Sequence, residues 1–524
     1  MKGELSEESP VTNMGDTAIF TSILVVCFFA LMIGVGIYCR HRAKTVDDFV
    51  LGGRRVGPWL TAFAFGTSYF SAVIFVGYAG QFGWNFGLAS TWIGLGNAFI
   101  GSLLAWLILG KRTRVMTQSI NSKTMPDFFE KRFGSGRLKV VASAIVFIFL
   151  IPYTASLYNG LSSLFNIAFD IPYWVCILAM AILTGVYVVF GGYMATAIND
   201  FIQGVIMLVG IVAVVLAVLG QNGGLVGSAD ALAGIAGEQY TSLFGPDPMS
   251  LVTVVLLTSL GTWGLPQMIG KFYAIADDKA VKKGTIISTF FAVIVAGGCY
   301  FLGGFGRLFV TVADGGKPVG GFDGVVPTML ASLSPYIIGI VIVLVLSASM
   351  STLSSLVLTS ASTLTLDVFV PTFKKKGVAE SKKIVIMRVL IVFFILLSAT
   401  IAILKDTVLK EVAFIAQMMG ISWGALAGSF LAPFLYGLYW KKTTRASVWA
   451  SFGFGVSIMV AQLVLSLCGA IPEDGFFHFI FQNSLYTGVL AMIGGLIIVP
   501  VVSLLTKKTI PEKADEIFSC YNKD

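Results

Sequence analysis

The residues whose types and spacing are best suited to chemistry are Ala348, Ser351, Thr352 and Ser355, with Ser354 beside them. They sit in an apolar run from about 335 to 361. On a helix they fall at i, i+3, i+4 and i+7, which is a single face. Two chemistries fit a row of hydroxyls on an apolar helix. The hydroxyls tie helices together, bonding back to the i−4 carbonyl or across to a neighbour. Alternatively they hold a hard cation such as sodium, which takes neutral oxygen ligands once its water is stripped. Asp200, in Ala197-Ile198-Asn199-Asp200-Phe201-Ile202-Gln203, is an acid inside an apolar run of about 194–220. A carboxylate at membrane depth is costly and needs a partner, and sodium is one candidate. The other reading puts Asp200 just within the interface, since its run starts near Met194. Lys271 and Arg307 lie near the ends of apolar runs and read as snorkelling side chains. Gly420, Gly424 and Gly428 repeat a small residue every fourth position, a helix-packing pattern.

Other chemistries lack their residues. No GxxxxGK[ST] stretch is present, so nothing in this chain supplies a nucleotide-hydrolysing engine. The only histidines are His41 and His478, from which no Ser/His/Asp set can be assembled. The six cysteines are scattered and form no CxxC pair, which argues against a disulfide framework and a metal site. The chain therefore does not read as an enzyme.

The elements that must position the hydroxyl row are membrane helices. The 524 residues are 56% hydrophobic and 12% charged, about half the charge of a soluble domain. A bilayer core needs about 20 apolar residues per helix. About thirteen runs meet that need, at 17–39, 57–81, 87–110, 139–166, 172–190, 194–220, 250–274, 284–312, 335–361, 384–404, 411–439, 446–469 and 484–506. The first is expected to be a retained span, because it is long and lacks a small-residue cleavage site. The net charge of +8 comes from Lys and Arg in short loops and is not a nucleic-acid signal. Arg40, Arg42, Arg54, Arg55, Lys111, Arg112, Arg114, Lys374, Lys375, Lys376, Lys441, Lys442 and Arg445 alternate with the Lys- and Arg-free loops 221–249 and 470–483. The positive-inside rule then puts the N-terminus outside and the C-terminus in the cytoplasm.

Two runs are interrupted alike. One opens with Gly57-Pro58 and carries Gly66-Thr67-Ser68-Tyr69-Phe70-Ser71 at its middle; the other carries Gly261-Thr262-Trp263-Gly264-Leu265-Pro266. Glycine and proline weaken helix hydrogen bonding, and freed backbone at membrane depth survives where it lines a site. About five spans begin with each break, the arithmetic of a five-plus-five inverted repeat. Matched broken helices point to a transport site. The expected organisation is 1–56, an outer segment with the first helix and a cytoplasmic loop; 57–220, the first repeat; 221–249, an outer loop; 250–439, the inverted second repeat; and 440–524, two further helices and a tail.

Markers along the chain resemble the solute:sodium symporter family, which includes bacterial sodium/proline, sodium/pantothenate, sialic acid and sugar symporters. They are Asp48-Phe49-Val50-Leu51-Gly52-Gly53-Arg54, Thr124-Met125-Pro126-Asp127-Phe128-Phe129-Glu130-Lys131-Arg132-Phe133-Gly134, Asn199-Asp200-Phe201-Ile202-Gln203-Gly204 and Met350-Ser351-Thr352-Leu353-Ser354. The resemblance spans about 17–510. It implies an all-α membrane protein with a LeuT-type five-plus-five core that couples solute uptake to sodium by alternating access. It implies a sodium site at the carbonyls of Thr67, Phe70 and Ala348 and the side chains of Ser351 and Thr352. Some members bind a second sodium through a carboxylate and neighbouring serines, which here match Asp200, Ser351, Ser354 and Ser355.

The solute contacts are expected at the two breaks and the helices facing them: Ser68, Tyr69, Ser71, Gln81, Tyr153, Trp263, Gln267 and Gln417. The proline members resemble one another in an acid where Tyr69 stands, and in Trp and Tyr where Thr258 and Thr262 align. The sialic acid members share an arginine on the 139–166 helix, which here reads Phe149-Leu150-Ile151-Pro152-Tyr153-Thr154-Ala155. A pantothenate-like carboxylate is the first expectation and an amino acid the next. The positive end of a half-helix can hold a carboxylate without an arginine. A proton-coupled carrier of the same fold and a solute sensor are the alternatives; the hydroxyl row favours sodium over the first, and the short C-terminal tail argues against the second. The expected partners are thus sodium, a small solute and the lipid bilayer, and no residue pattern fixes an oligomeric state.

Overall fold

The computed structural model describes residues 10–40, 43–169, 172–313, 315–372, 378–407 and 415–522. Residues 1–9 of the expected outer segment, His41, Arg42, Lys374 to Lys376 and the first residues of the expected 411–439 span lie outside the described residues.

With no water at membrane depth, each spanning segment must satisfy its own backbone, and the described chain does so with helices. The principal ones are α1 (Pro10–Cys39), α2 (Pro58–Tyr69), α3 (Ala79–Phe86), α4 (the helical stretch 91–119), α5 (Met125–Phe133), α6 (Gly136–Phe169) and α7 (Tyr173–Gly220). There follow α8 (Pro248–Leu260), α9 (Pro266–Tyr273), α10 (Asp278–Gly303), α11 (Pro335–Thr363), α12 (Glu380–Thr407), α13 (Ile415–Tyr439), α14 (Arg445–Leu467) and α15 (Ser484–Leu505). Proline opens α2, α8, α9 and α11, where its missing N–H has no intrahelical acceptor to lose.

Ten of the described helices are long and apolar enough to cross a bilayer, or up to eleven with one bent pair counted as a span. The expected thirteen is not reached by that measure. The difference lies where the chain runs helix into helix: Val73–Ser119 and Tyr173–Gly220 each form one continuous stretch across two expected spans. Tyr173–Gly220 turns at Gly192, whose φ of 56° is a conformation that a side chain resists.

Both expected breaks are present. After α2 the chain extends at Phe70 (φ −93°, ψ 93°) and resumes as a wide helical turn over Val73–Tyr78 that leads into α3. After α8 a tight turn, Gly261–Gly264, ends at extended Leu265 (φ −84°, ψ 121°), and α9 leaves at 48°. The ends of these two half-helices away from the breaks are clasped by main chain. The Val56 N–H donates to the Ala274 carbonyl (3.1 Å), and the Ala276 N–H donates to the Val56 carbonyl (3.2 Å).

α11 packs against α7 and α2, so its hydroxyl face meets the first break. α10 packs on α2 and α3, and there the backbones nearly touch: a Cβ on Gly83 would lie 2.0 Å from the Gly303 carbonyl carbon. α13 packs on α6, α14 and α15. In the connection ahead of α6, the Thr124 hydroxyl caps α5 at the Asp127 N–H (3.1 Å). The Asp127 carboxylate lies between Lys131 (2.9 Å) and Lys139 (3.0 Å). Burial alone would raise the Asp127 pKa, but the two ammonium groups outweigh it and hold the carboxyl below its ordinary range.

Candidate functional site

The break after Tyr69 has a direct chemical consequence. A helix continued through Ser71 and Ala72 would bond their N–H groups to the carbonyls of Thr67 and Ser68. Extended Phe70 prevents that, and α11 meets the two carbonyls instead. The Ser351 hydroxyl lies 3.0 Å from the Thr67 carbonyl and 3.2 Å from that of Ala348. The Thr352 hydroxyl lies 3.1 Å from Thr67, 3.2 Å from Ala348 and 3.4 Å from the Ser68 carbonyl. Five neutral oxygens thus converge where Thr67, Ser351 and Thr352 are fully buried. Each hydroxyl has one proton and spare lone pairs, so the set suits a desolvated hard cation. Of the expected sodium residues, Thr67, Ala348, Ser351 and Thr352 come together. The Phe70 ring stacks on Tyr69 at 4.4 Å, and the Ser68 carbonyl also lies 3.4 Å from the Thr352 hydroxyl.

The second expected ion set is arranged differently. The Lys271 ammonium lies 3.5 Å from Asp200 Oδ2 and 2.9 Å from Ser355 Oγ. Ser354 turns away to donate to the Ser351 carbonyl (2.8 Å). Lys271 is 4% exposed and Asp200 not at all, so the expected snorkelling of Lys271 is corrected: the bend at Leu265 aims α9 back towards α7 and α11. Asp200 is therefore enclosed by protein. Ser355 also bonds Ser68 Oγ at 2.7 Å, so Ser68 faces the ion positions through its side chain.

A third cluster lies across the first break. The Tyr153 hydroxyl of α6 is beside Ser71 and the Trp423 indole of α13. Ser71 Oγ, Tyr153 Oη and Trp423 Nε1 are all buried and lack a well-aligned hydrogen-bond partner among the described residues. Trp423 crosses Tyr153 edge-on at 6.1 Å and lies 6.0 Å from the Tyr69 ring. A Cβ on Gly261 would come within 3.0 Å of that indole, so the second break makes room for it. Three polar groups able to donate, walled by aromatic rings, suit an acceptor-bearing solute with an apolar body.

Ser71, Tyr69 and Tyr153 of the expected solute residues meet here, and the other five do not; Ser68 is bonded to Ser355 instead. Trp263 turns outwards, its indole N–H donating to the Ile100 carbonyl at 3.1 Å. Gln81 lines a separate depression with Asn85, Asp247 and Tyr486. Gln267 lines a cavity of about 50 Å³ with Lys123, Tyr193, Lys271, Ser355 and Thr359. Gln417 meets α15 through its carbonyl, which accepts from Ser484. A tryptophan within a helix does not declare its direction in sequence, and a glutamine at a span end serves lipid headgroups as readily as a solute. Trp423 was missed because it sits within the Gly420–Gly424 packing pattern; the signal was an aromatic beside small residues that let backbones approach.

Comparison with known proteins identifies the family and the fold. The model of the sodium:solute symporter family matches residues 49–455. An osmoregulated proline transporter of Bacillus subtilis is 29% identical over 501 residues, covering 93% of this chain and 94% of the relative. A sodium/proline symporter of Staphylococcus aureus is 29% identical over 499 residues, with 93% of each chain covered. Among solved structures, a Na+-coupled sialic acid symporter in a substrate-bound outward-open state superposes with a TM-score of 0.71 at 18% identity, covering 93% of this chain and 98% of that one. A nucleobase-cation-symport-1 family transporter superposes with a TM-score of 0.50 at 12% identity, over 90% of this chain and 98% of that one.

Proposed function

The chain belongs to the sodium:solute symporter family, and from that premise we propose where this sodium-coupled symporter of a small organic solute holds its ion and its cargo. Sodium binds between the first break and α11, at the carbonyls of Thr67, Ser68 and Ala348 and the hydroxyls of Ser351 and Thr352. The observation that carries this reading is the pair of α11 hydroxyls set against carbonyls that the break has freed. The solute binds beside it, at Ser71, Tyr153 and Trp423, against the Tyr69 ring.

The solute is a small carboxylate with an apolar body. Two hydroxyls and an indole N–H supply donors for an anionic oxygen, and the rings supply the walls. None of these contact residues is an acid, so nothing in the cluster pairs with a cationic amine; this favours a pantothenate-like acid over an amino acid. The proline activity named for the relatives favours the amino acid instead. These side chains are closed off from solvent, so a solute reaches them only when the helices part. The repeats 57–220 and 250–439 supply that alternating motion, with the N-terminus outside the cell membrane and the C-terminus in the cytoplasm.

The test is uptake into proteoliposomes under an imposed sodium gradient, with labelled pantothenate and labelled proline as cargoes. Accumulation of pantothenate that collapses when potassium replaces sodium supports the reading. Accumulation of proline alone moves the solute to the amino acid, and uptake indifferent to sodium overturns the coupling.

A further inference from the structure

Lys271 stands where a freely diffusing cation was expected. Asp200 and Ser355 are two of the four residues that matched a second sodium site in related carriers, and the ammonium lies against both, at 3.5 and 2.9 Å. The Tyr193 ring faces the same nitrogen, its centroid 5.4 Å away, and adds a cation–π contact. Asp200 and Lys271 are buried together, and Asp200 Oδ1 has no hydrogen-bond partner among the described residues. An ammonium and a sodium ion carry the same charge. A single buried carboxylate neutralises one of them; a second cation beside the first would be repelled and left without a counter-charge. The lysine is also covalently tied to α9, so it does not leave when the ion concentration falls.

We propose that Lys271 is a tethered cation that fills the second ion position of this carrier, so that one sodium ion accompanies each solute. The inference rests on the reading of the Thr67–Ser351–Thr352 site as the sodium site. The two positions are neighbours. Ser355 bonds both the ammonium and Ser68 Oγ (2.7 Å), and the Ser68 carbonyl lies 3.4 Å from the Thr352 hydroxyl. Lys271 thus braces, through Ser355 and Ser68, the backbone that offers carbonyls to sodium. Because α9 belongs to the second break and Ser68 to the first, the tethered charge joins the two interrupted helices at the ion site.

The experiment counts radioactive sodium bound at equilibrium to the purified full chain. The wild type is expected to bind one ion per chain, and Thr352→Val to lose it at least tenfold in affinity. Lys271→Gln bares the Asp200 carboxylate and is expected to bind two ions. Lys271→Gln combined with Asp200→Asn returns the count to one. Two ions on the wild type, or a folded Lys271→Gln that binds only one, overturn the proposal. If Lys271→Gln does not fold, the wild type decides: an ion insensitive to Thr352→Val but lost in Asp200→Asn sits at the carboxylate and overturns it. A wild type that binds no sodium overturns the sodium-site reading itself.

Discussion

Replacing Thr352 by valine removes one hydroxyl and keeps the volume of the side chain. That hydroxyl faces the carbonyls of Thr67, Ala348 and Ser68 at 3.1, 3.2 and 3.4 Å. The Thr67 carbonyl keeps the Ser351 hydroxyl at 3.0 Å, so the fold loses about 1 kcal/mol, the net worth of one neutral hydrogen bond. The ion loses more. A polar contact to a charged group is worth about 1.5–3 kcal/mol, which corresponds to a roughly 10- to 150-fold weaker sodium affinity. The assay is thermal unfolding of the purified protein in sodium and in potassium chloride at matched ionic strength. Sodium at a hundred times its wild-type Kd stabilises the folded state by about 2.7 kcal/mol; at the same concentration a variant bound about 30-fold more weakly gains only about 0.9 kcal/mol. Most of the sodium-specific shift therefore vanishes, while the midpoint in potassium moves little. A full sodium shift in Thr352→Val, with an unchanged sodium half-saturation for uptake, refutes the site.

Four other perturbations separate packing from binding. Tyr153→Phe removes a donor from the solute cluster and is expected to weaken apparent solute affinity about 10- to 150-fold without altering sodium binding, whereas Trp263→Phe costs about 1 kcal/mol of stability by losing the bond to Ile100 and leaves solute affinity intact; competition binding reads both. Gly83→Ala forces a methyl group to within 2.0 Å of the Gly303 backbone, so α3 and α10 must separate, and the unfolding midpoint should fall by the equivalent of about 1–3 kcal/mol in sodium and potassium alike. Asp127, with its pKa held down by Lys139 and Lys131, contributes stability that is present above its unfolded pKa of about 4 and lost as the pH falls through its lower folded value; Asp127→Asn should flatten the pH dependence of the midpoint in that acid range.

The parts of this site visible in sequence were those governed by local rules. Helical spacing alone set Ser351 and Thr352 on one face, and glycine with proline marked both interruptions. Direction was the hidden quantity. Trp263 and Trp423 are the same side chain in two apolar helices, yet one points to Ile100 and the other to Tyr153. Only the turn of the chain at Gly261–Gly264 and the packing of α13 on α6 decide that. Lys271 near the end of an apolar run looks like any interfacial lysine, because its counter-charge is 71 residues away in the chain and the glycine and proline that mark the 48° bend do not say which way it turns the next helix. The span number was obscured for a related reason: helices that continue through a kink such as Gly192 erase the boundary that hydropathy implies.

The main-chain clasp between Val56 and Ala274–Ala276 bears on how the carrier can move. Two short strands of backbone joined by a pair of hydrogen bonds act as a hinge pin: the attached bodies swing about the line of the bonds but do not slide along it. The inner segments of both interrupted helices hang from this pin, one from each half of the molecule. They are thereby linked through main-chain atoms, whatever side chains they carry. Side-chain replacements at Val56 or Ile275 leave such a joint working, whereas proline at Val56 or Ala276 deletes one of its two bonds. If the aromatic cluster holds the cargo, as proposed above, its residues could be exchanged without touching this main-chain joint.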